Sequence, residues 1–291
     1  MLFPAYCYAF SLRENVPGAL RGVSSETCRK MEIYLTMDYP VFNDPNEKPL
    51  DRLLPDGGFC PIFRRIACVG DSLSSGEFQL MGEDGKWKFY DKFEYSWGQF
   101  IARTCGNTVY NFSAGGMTAK WYLHFAEDMG YWNPDKKCQA YIIALGVNDL
   151  CNQHQEVGDI NDVDIDNPGN NPETFAGYYA EIIARYRKIQ ENPFFFFMTM
   201  PQGAPDDPVR AEYKLRHHEL LNAFARIVPN AFVLDFYKFA RPYDKQFNEL
   251  YYLNGHLNPC GYLLTAKMVM SYIDYIIRHD VKKFELVGMM Q

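Results

Sequence analysis

Arg64-Arg65-Ile66-Ala67-Cys68-Val69-Gly70-Asp71-Ser72-Leu73-Ser74-Ser75-Gly76 is the stretch whose reading decides the fold. Ile66 to Val69 is a short apolar run with β-branched ends, closed by Gly70. Such a run reads as a strand of a parallel sheet, buried on both faces. Gly70 lets the backbone turn sharply. Asp71 and Ser72 then fall on the loop after the strand, and open α/β sheets bind ligands outside the carboxyl ends of their strands. Ser72 therefore sits where a nucleophile belongs. Ser and Asp also cap helices and turns, so Gly-Asp-Ser-Leu alone supports either role.

Outward from this stretch the chain alternates. Phe78–Met81 and Lys86–Tyr90, around the Asp84-Gly85 turn, predict a β-hairpin directly after the serine, placed to form one wall of a site. Glu94 to Cys105 predicts a helix ended by Gly106. Thr108–Phe112 reads as the second strand, followed by the loop Ser113-Ala114-Gly115-Gly116-Met117-Thr118 and a helix through about Met129. Tyr141–Leu145 reads as the third strand, ending in Gly146-Val147-Asn148-Asp149. Helices over Glu173–Asn192 and Asp207–Val228 frame the fourth strand, Phe194–Met200; Ala231–Asp235 is the fifth. A last helix starts at Asn258-Pro259, with proline at its first turn, and runs to about Arg278. This alternation predicts an α/β fold: a three-layer α/β/α sandwich on about five parallel strands.

Residues 1–60 are punctuated by Pro and Gly and read as an irregular extension, with a strand over Met31–Met37; Met31 and Met37 are themselves plausible starts. The main domain spans 61–283 and a tail 284–291. Cys151 to Pro172 is polar and acidic, but lacks the Gly and Glu of a calcium-binding loop. Its length suggests a solvated lid or rim. The 291 residues are 47% hydrophobic and 16% aromatic, with a net charge of −7. No basic stripe is present to neutralise phosphates, which argues against nucleic acid. No apolar run has the length of a membrane span, and the apolar opening Met1–Phe10 lacks the basic start of a signal peptide. The 8 cysteines are scattered without metal-type spacing, which predicts a reducing, cytoplasmic setting.

Four loops each offer one catalytic part. Ser72 is a nucleophile. The Asn111–Thr118 segment offers glycine N–H groups with no side chain in the way. Asn148 offers an amide donor, and His256, in Gly255-His256-Leu257-Asn258-Pro259, an imidazole just ahead of the last helix. In this order and spacing the chain resembles the SGNH (GDSL) hydrolase family of esterases and lipases over roughly residues 62–280. The resemblance implies a flavodoxin-like sandwich and a serine esterase without cofactor or metal. It maps the nucleophile to Ser72, the second-block glycine to Gly116 (with Gly115 as fallback), the third-block asparagine to Asn148 and the base to His256. Asn258, Gly261 and Tyr262 also resemble the last block. A serine hydroxyl needs a base to take its proton, an imidazole titrates near neutral pH, and the oxyanion of the tetrahedral intermediate needs donors.

The family's Asp, three residues before the histidine, is replaced by Leu253. The expected arrangement is therefore a Ser72–His256 dyad whose imidazole is held by a neutral acceptor. Asn254 is the nearest side-chain candidate, and a backbone carbonyl of Tyr252 or Leu253 is equally suited; Asp235, Asp244 and Glu249 are more distant in sequence. The absence of a long apolar lid points to a short acyl group, such as acetyl on a carbohydrate. The same motifs suit an acyltransferase, and the missing Asp suits a carbohydrate- or ligand-binding relative without catalysis.

Overall fold

The computed structural model describes residue 44 and residues 46–290. The strand expected over Met31–Met37 and the rest of the extension through residue 43 lie outside the described residues. The chain divides into two compact units, Met1–Pro45 and Asn46–Gln291.

In the second unit the strands are β1 Arg65–Gly70, β2 Glu77–Met81, β3 Trp87–Asp91, β4 Thr108–Ser113, β5 Ala140–Ala144, β6 Phe194–Met198, β7 Gly203–Ala204, β8 Ala231–Leu234, β9 Tyr243–Asp244, β10 Tyr252–Leu253 and β11 His256–Leu257. The helices are α1 Ser72–Ser75, α2 Trp97–Cys105, α3 Ala119–Phe125, α4 Phe175–Ile189, α5 Pro208–Ile227, α6 Phe236–Phe239, α7 Lys245–Tyr251 and α8 Pro259–His279. The central sheet has the order β4-β1-β5-β6-β8 with every pairing parallel. This is the expected three-layer α/β fold on five strands.

The side-chain period of a strand is two, so each strand feeds both layers of core. Ala67, Val69, Tyr141, Ile143, Phe195 and Phe197 pack on one face with α3, α4 and α5. Ile66, Cys68, Ala140, Ile142, Phe194 and Phe196 pack on the other with α2 and α8. The run of four phenylalanines is legible in these terms: a strand covered on both faces needs no polar positions.

Helix starts follow their caps. Thr174, Asp207 and Asn258 accept N–H bonds at the first turns of α4, α5 and α8. The helix expected from Glu94 begins at Trp97, because the Ser96 hydroxyl accepts the Gln99 N–H at 3.2 Å and a 3₁₀ turn precedes it. The helix expected through Met129 is shorter, ending at Phe125.

Residues 46–60, read from sequence as part of the extension, are tied to α8. Leu54 N–H donates to Ser271 Oγ, Phe59 N–H donates to Asp274, and Arg278 pairs with Glu47 at 2.7 Å. In the acidic segment, Asp159 and Asp164 accept N–H groups of their own loop, from Asn161 and from Asp166 and Asn167. Among the described residues no helix is long and apolar enough to cross a membrane.

Phe196 is fully buried, edge-on to Phe63 and stacked on Phe232. Phe196→Ala is expected to cost about 3–5 kcal/mol of unfolding free energy, measured by urea denaturation.

Candidate active site

The parallel register sets the site. Gly70 pairs with Ser113 on one side and with Ala144 on the other. The loops that follow these residues therefore leave the sheet side by side, at the strand spacing of about 4.8 Å. They carry Ser72, Gly115-Gly116 and Asn148. Gly70 is required by close approach: a Cβ there would collide with the Ser74 side chain of the α1 turn.

Asp71 does cap α1, its Oδ1 accepting the Leu73 N–H at 3.0 Å. The capping and nucleophile readings of this motif therefore hold together, because the cap turns Ser72 out of the strand. Of the three serines in α1, Ser74 and Ser75 are each 1% exposed and Ser72 9%. Ser75 Oγ is committed to Asp91 and to the Ser72 carbonyl. The Ser72 hydroxyl and its N–H make no hydrogen bond to the described residues.

Gly116 adopts φ +71°, in the left-handed region that favours glycine, and open space surrounds its α-carbon. Its N–H also has no partner among the described residues. Asn148 lies in a π-helical turn, Val147–Asn152. Its Oδ1 accepts from Asn152 at 2.9 Å and its Nδ2 donates to the Met117 carbonyl at 3.2 Å. A primary amide has two N–H groups, so one remains available.

His256 is on β11, which pairs with β10, and the α1 turn packs against β11. Its imidazole Nε2 lies 3.0 Å from Glu77 Oε1. Its Nδ1 is buried and has no hydrogen-bond partner among the described residues. Phe89 stands edge-on to the ring at 6.2 Å.

A profile of the GDSL-like lipase/acylhydrolase family matches residues 66–269. The chain belongs to this family. A search of curated proteins finds no match. Among solved structures, the chain is similar to a family two carbohydrate esterase from Clostridium thermocellum in complex with cellohexaose, with TM-score 0.52, 15% identity and coverage of 81% of this chain and 66% of that one. It is also similar to a family 2 carbohydrate esterase with a carbohydrate-binding domain from Corynascus thermopiles, with TM-score 0.50, 16% identity and coverage of 72% and 65%. A lipase/acylhydrolase from Enterococcus faecalis gives TM-score 0.43 at 17% identity, covering 78% of this chain and 97% of that one. The chain thus spans about two thirds of the length of the two carbohydrate esterases. The likenesses to the two carbohydrate esterases show a shared fold.

One expectation for this GDSL-type hydrolase is corrected. Asn254 does not hold the imidazole: its Nδ2 donates to the Gln79 carbonyl at 2.7 Å, and its backbone φ of +59° belongs to the turn between β10 and β11. Nor does a backbone carbonyl of Tyr252 or Leu253 reach Nδ1, which has no partner. Asp235 is bonded to His218, and Asp244 caps α7. The group on the ring is a carboxylate, Glu77, from the hairpin. Sequence reasoning identified that hairpin as a wall but attached no role to Glu77, whose partner is 179 positions away in sequence.

His217 was also not singled out. It is fully buried between the ends of β5 and β6, its Nε2–H donating to the Leu145 carbonyl and its Nδ1 accepting the Met200 N–H. Burial pushes its pKa down to about 4, so it props the Asn148 loop as a neutral ring. Two further carboxyls are buried here. Asp149 Oδ1 accepts the Ala119 N–H at 2.7 Å, joining the third block to the helix after the second. Burial pushes Asp71 and Asp149 up to about 7.

Such a raised carboxyl gives stability that is full below its unfolded value near 4 and is lost as pH rises through about 7. His217 has the opposite sign, its share being lost as pH falls from 6.5 towards 4. Asp149→Asn keeps the acceptor for Ala119 and removes the titration. Urea unfolding of the variant and the wild type is expected to diverge in the variant's favour between pH 4 and 7.5, by up to roughly 4 kcal/mol.

Proposed function

We propose that the protein is a serine esterase that removes a short acyl group, acetyl on a carbohydrate being the favoured case, through an acyl-enzyme on Ser72. The observation that carries this reading is the Ser72 residue itself. Its hydroxyl and N–H are both unbonded at the carboxyl edge of the sheet, beside the free Gly116 N–H and the spare Asn148 N–H.

In the proposed reaction His256 takes the Ser72 proton as the oxygen attacks the acyl carbon. The tetrahedral oxyanion is received by the Ser72 and Gly116 N–H groups and the Asn148 amide. His256 then returns the proton to the leaving alcohol, and water repeats the sequence on the acyl-enzyme.

The carbohydrate half rests on two supports. The neighbours of TM-score 0.52 and 0.50 are carbohydrate esterases. Phe89, edge-on to His256, and Trp87, two residues before it on β3, are 55% and 46% exposed and offer flat aromatic surface to a sugar ring. The six cysteines among the described residues are free thiols, five of them buried, which fits the reducing compartment read from sequence.

A fluorophosphonate probe is expected to label Ser72 and neither Ser74 nor Ser75, with labelling lost in Ser72→Ala. In a panel of esters of rising acyl length, kcat/KM should be highest for acetyl and absent in Ser72→Ala. Asn148→Ala should lower kcat by roughly 10²–10³ with little change in KM, because the donor acts on the transition state.

A further inference from the structure

Glu77 is out of place for its surroundings. It opens β2, whose partner strand β3 is exposed along its whole length, yet it is 9% exposed itself. One oxygen lies 3.0 Å from His256 Nε2. The other lies against Gly115, where any Cβ would collide with it. The two glycines of the second block thus do different work. Gly116 takes the left-handed turn, and Gly115 leaves room for the carboxylate.

The hairpin that carries Glu77 is fastened on two sides. Asp91, its register partner on β3, accepts from Ser75 in the nucleophile turn at 2.5 Å. Gln79 accepts from Gly255 and Asn254 on the histidine side, and Tyr262 at the start of α8 donates to the Glu77 carbonyl at 2.7 Å. The hairpin therefore holds the carboxylate in a fixed place relative to both the serine turn and the imidazole.

We propose that Glu77 is the positioning residue for His256, taking the place vacated by Leu253, and that His256 Nδ1 is the nitrogen that receives the Ser72 proton. This rests on the esterase reading above. A neutral imidazole has one N–H and one lone pair, and the hydrogen bond made by one nitrogen decides the state of the other. A carboxylate accepts only, so Glu77 draws the hydrogen to Nε2 and leaves the lone pair on Nδ1. That nitrogen is buried and unbonded, as a base awaiting a hydroxyl should be. When Nδ1 takes the serine proton the ring becomes an imidazolium, and Glu77 stabilises its charge without itself being protonated.

The test combines kinetics with a measurement on the unaltered protein. Glu77→Gln can present an N–H to Nε2 and enforce the other tautomer. It is expected to lower kcat on the preferred ester by well over tenfold, on the order of 10³–10⁴ as for an orienting carboxylate in a serine protease, with KM within a few-fold. Glu77→Asp should recover part of the loss. In the wild-type protein, ¹⁵N-histidine NMR, with His256 assigned through His256→Gln, should show protonated Nε2 and unprotonated Nδ1 in the neutral ring, with a low-field Nε2–H proton. A kcat in Glu77→Gln within tenfold of wild type, or the opposite tautomer in the wild type, overturns the inference. If Ser72→Ala keeps its ester turnover, the esterase reading itself fails; if only Ser72→Ala is inactive and Glu77→Gln is not, that reading stands and the role of Glu77 falls.

Discussion

The pairing of Gly70 between Ser113 and Ala144 is the constraint on which the rest of the molecule depends. It exists because β1 is central in a parallel sheet and buried on both faces. A slip of one residue would carry Val69 and Cys68 into each other's core layer and move the serine loop out of line with its neighbours. The alternating apolar side chains of the five strands hold that register. Three loops then emerge side by side without any of them having to fold back to reach the others.

The edge built in this way is crowded with acid. Asp71, Glu77 and Asp149 are all buried there, Glu77 on the His256 imidazole and the two aspartates on backbone N–H groups. Burial makes the charged forms of Asp71 and Asp149 costly and raises both to about 7. The structure accepts it because the carboxyls also join elements. Asp71 caps the serine turn and Asp149 links two loops through Ala119.

The β2–β3 hairpin follows the same economy. It contributes nothing to the central sheet, and β3 is exposed throughout. Its base nevertheless touches the serine turn through Asp91 and the histidine strand through Glu77 and Gln79. Short polar contacts at that base fix its position, while the outer half presents Trp87 and Phe89 to solvent.

The central strands, their parallel arrangement and the placement of Ser72, Gly116 and Asn148 just past the strand ends were legible in the sequence, whereas His256, expected on a loop, lies on the short strand β11. Each rests on local signals: apolar runs of strand length, glycines and caps at their ends, and motif residues within a few positions of them. The vacancy at Leu253 was legible for the same reason. The group that meets the imidazole was not, and the local candidate Asn254 faces Gln79 instead. Glu77 comes from a hairpin far away in sequence, and no periodicity or turn chemistry encodes which way that hairpin leans. His217 shows the same limit from inside the core, where its two hydrogen bonds go to the ends of different strands. Local sequence determines which element forms and which residues it carries. Contacts between side chains on separate elements are decided only when packing and hydrogen bonding bring those elements together in the folded chain.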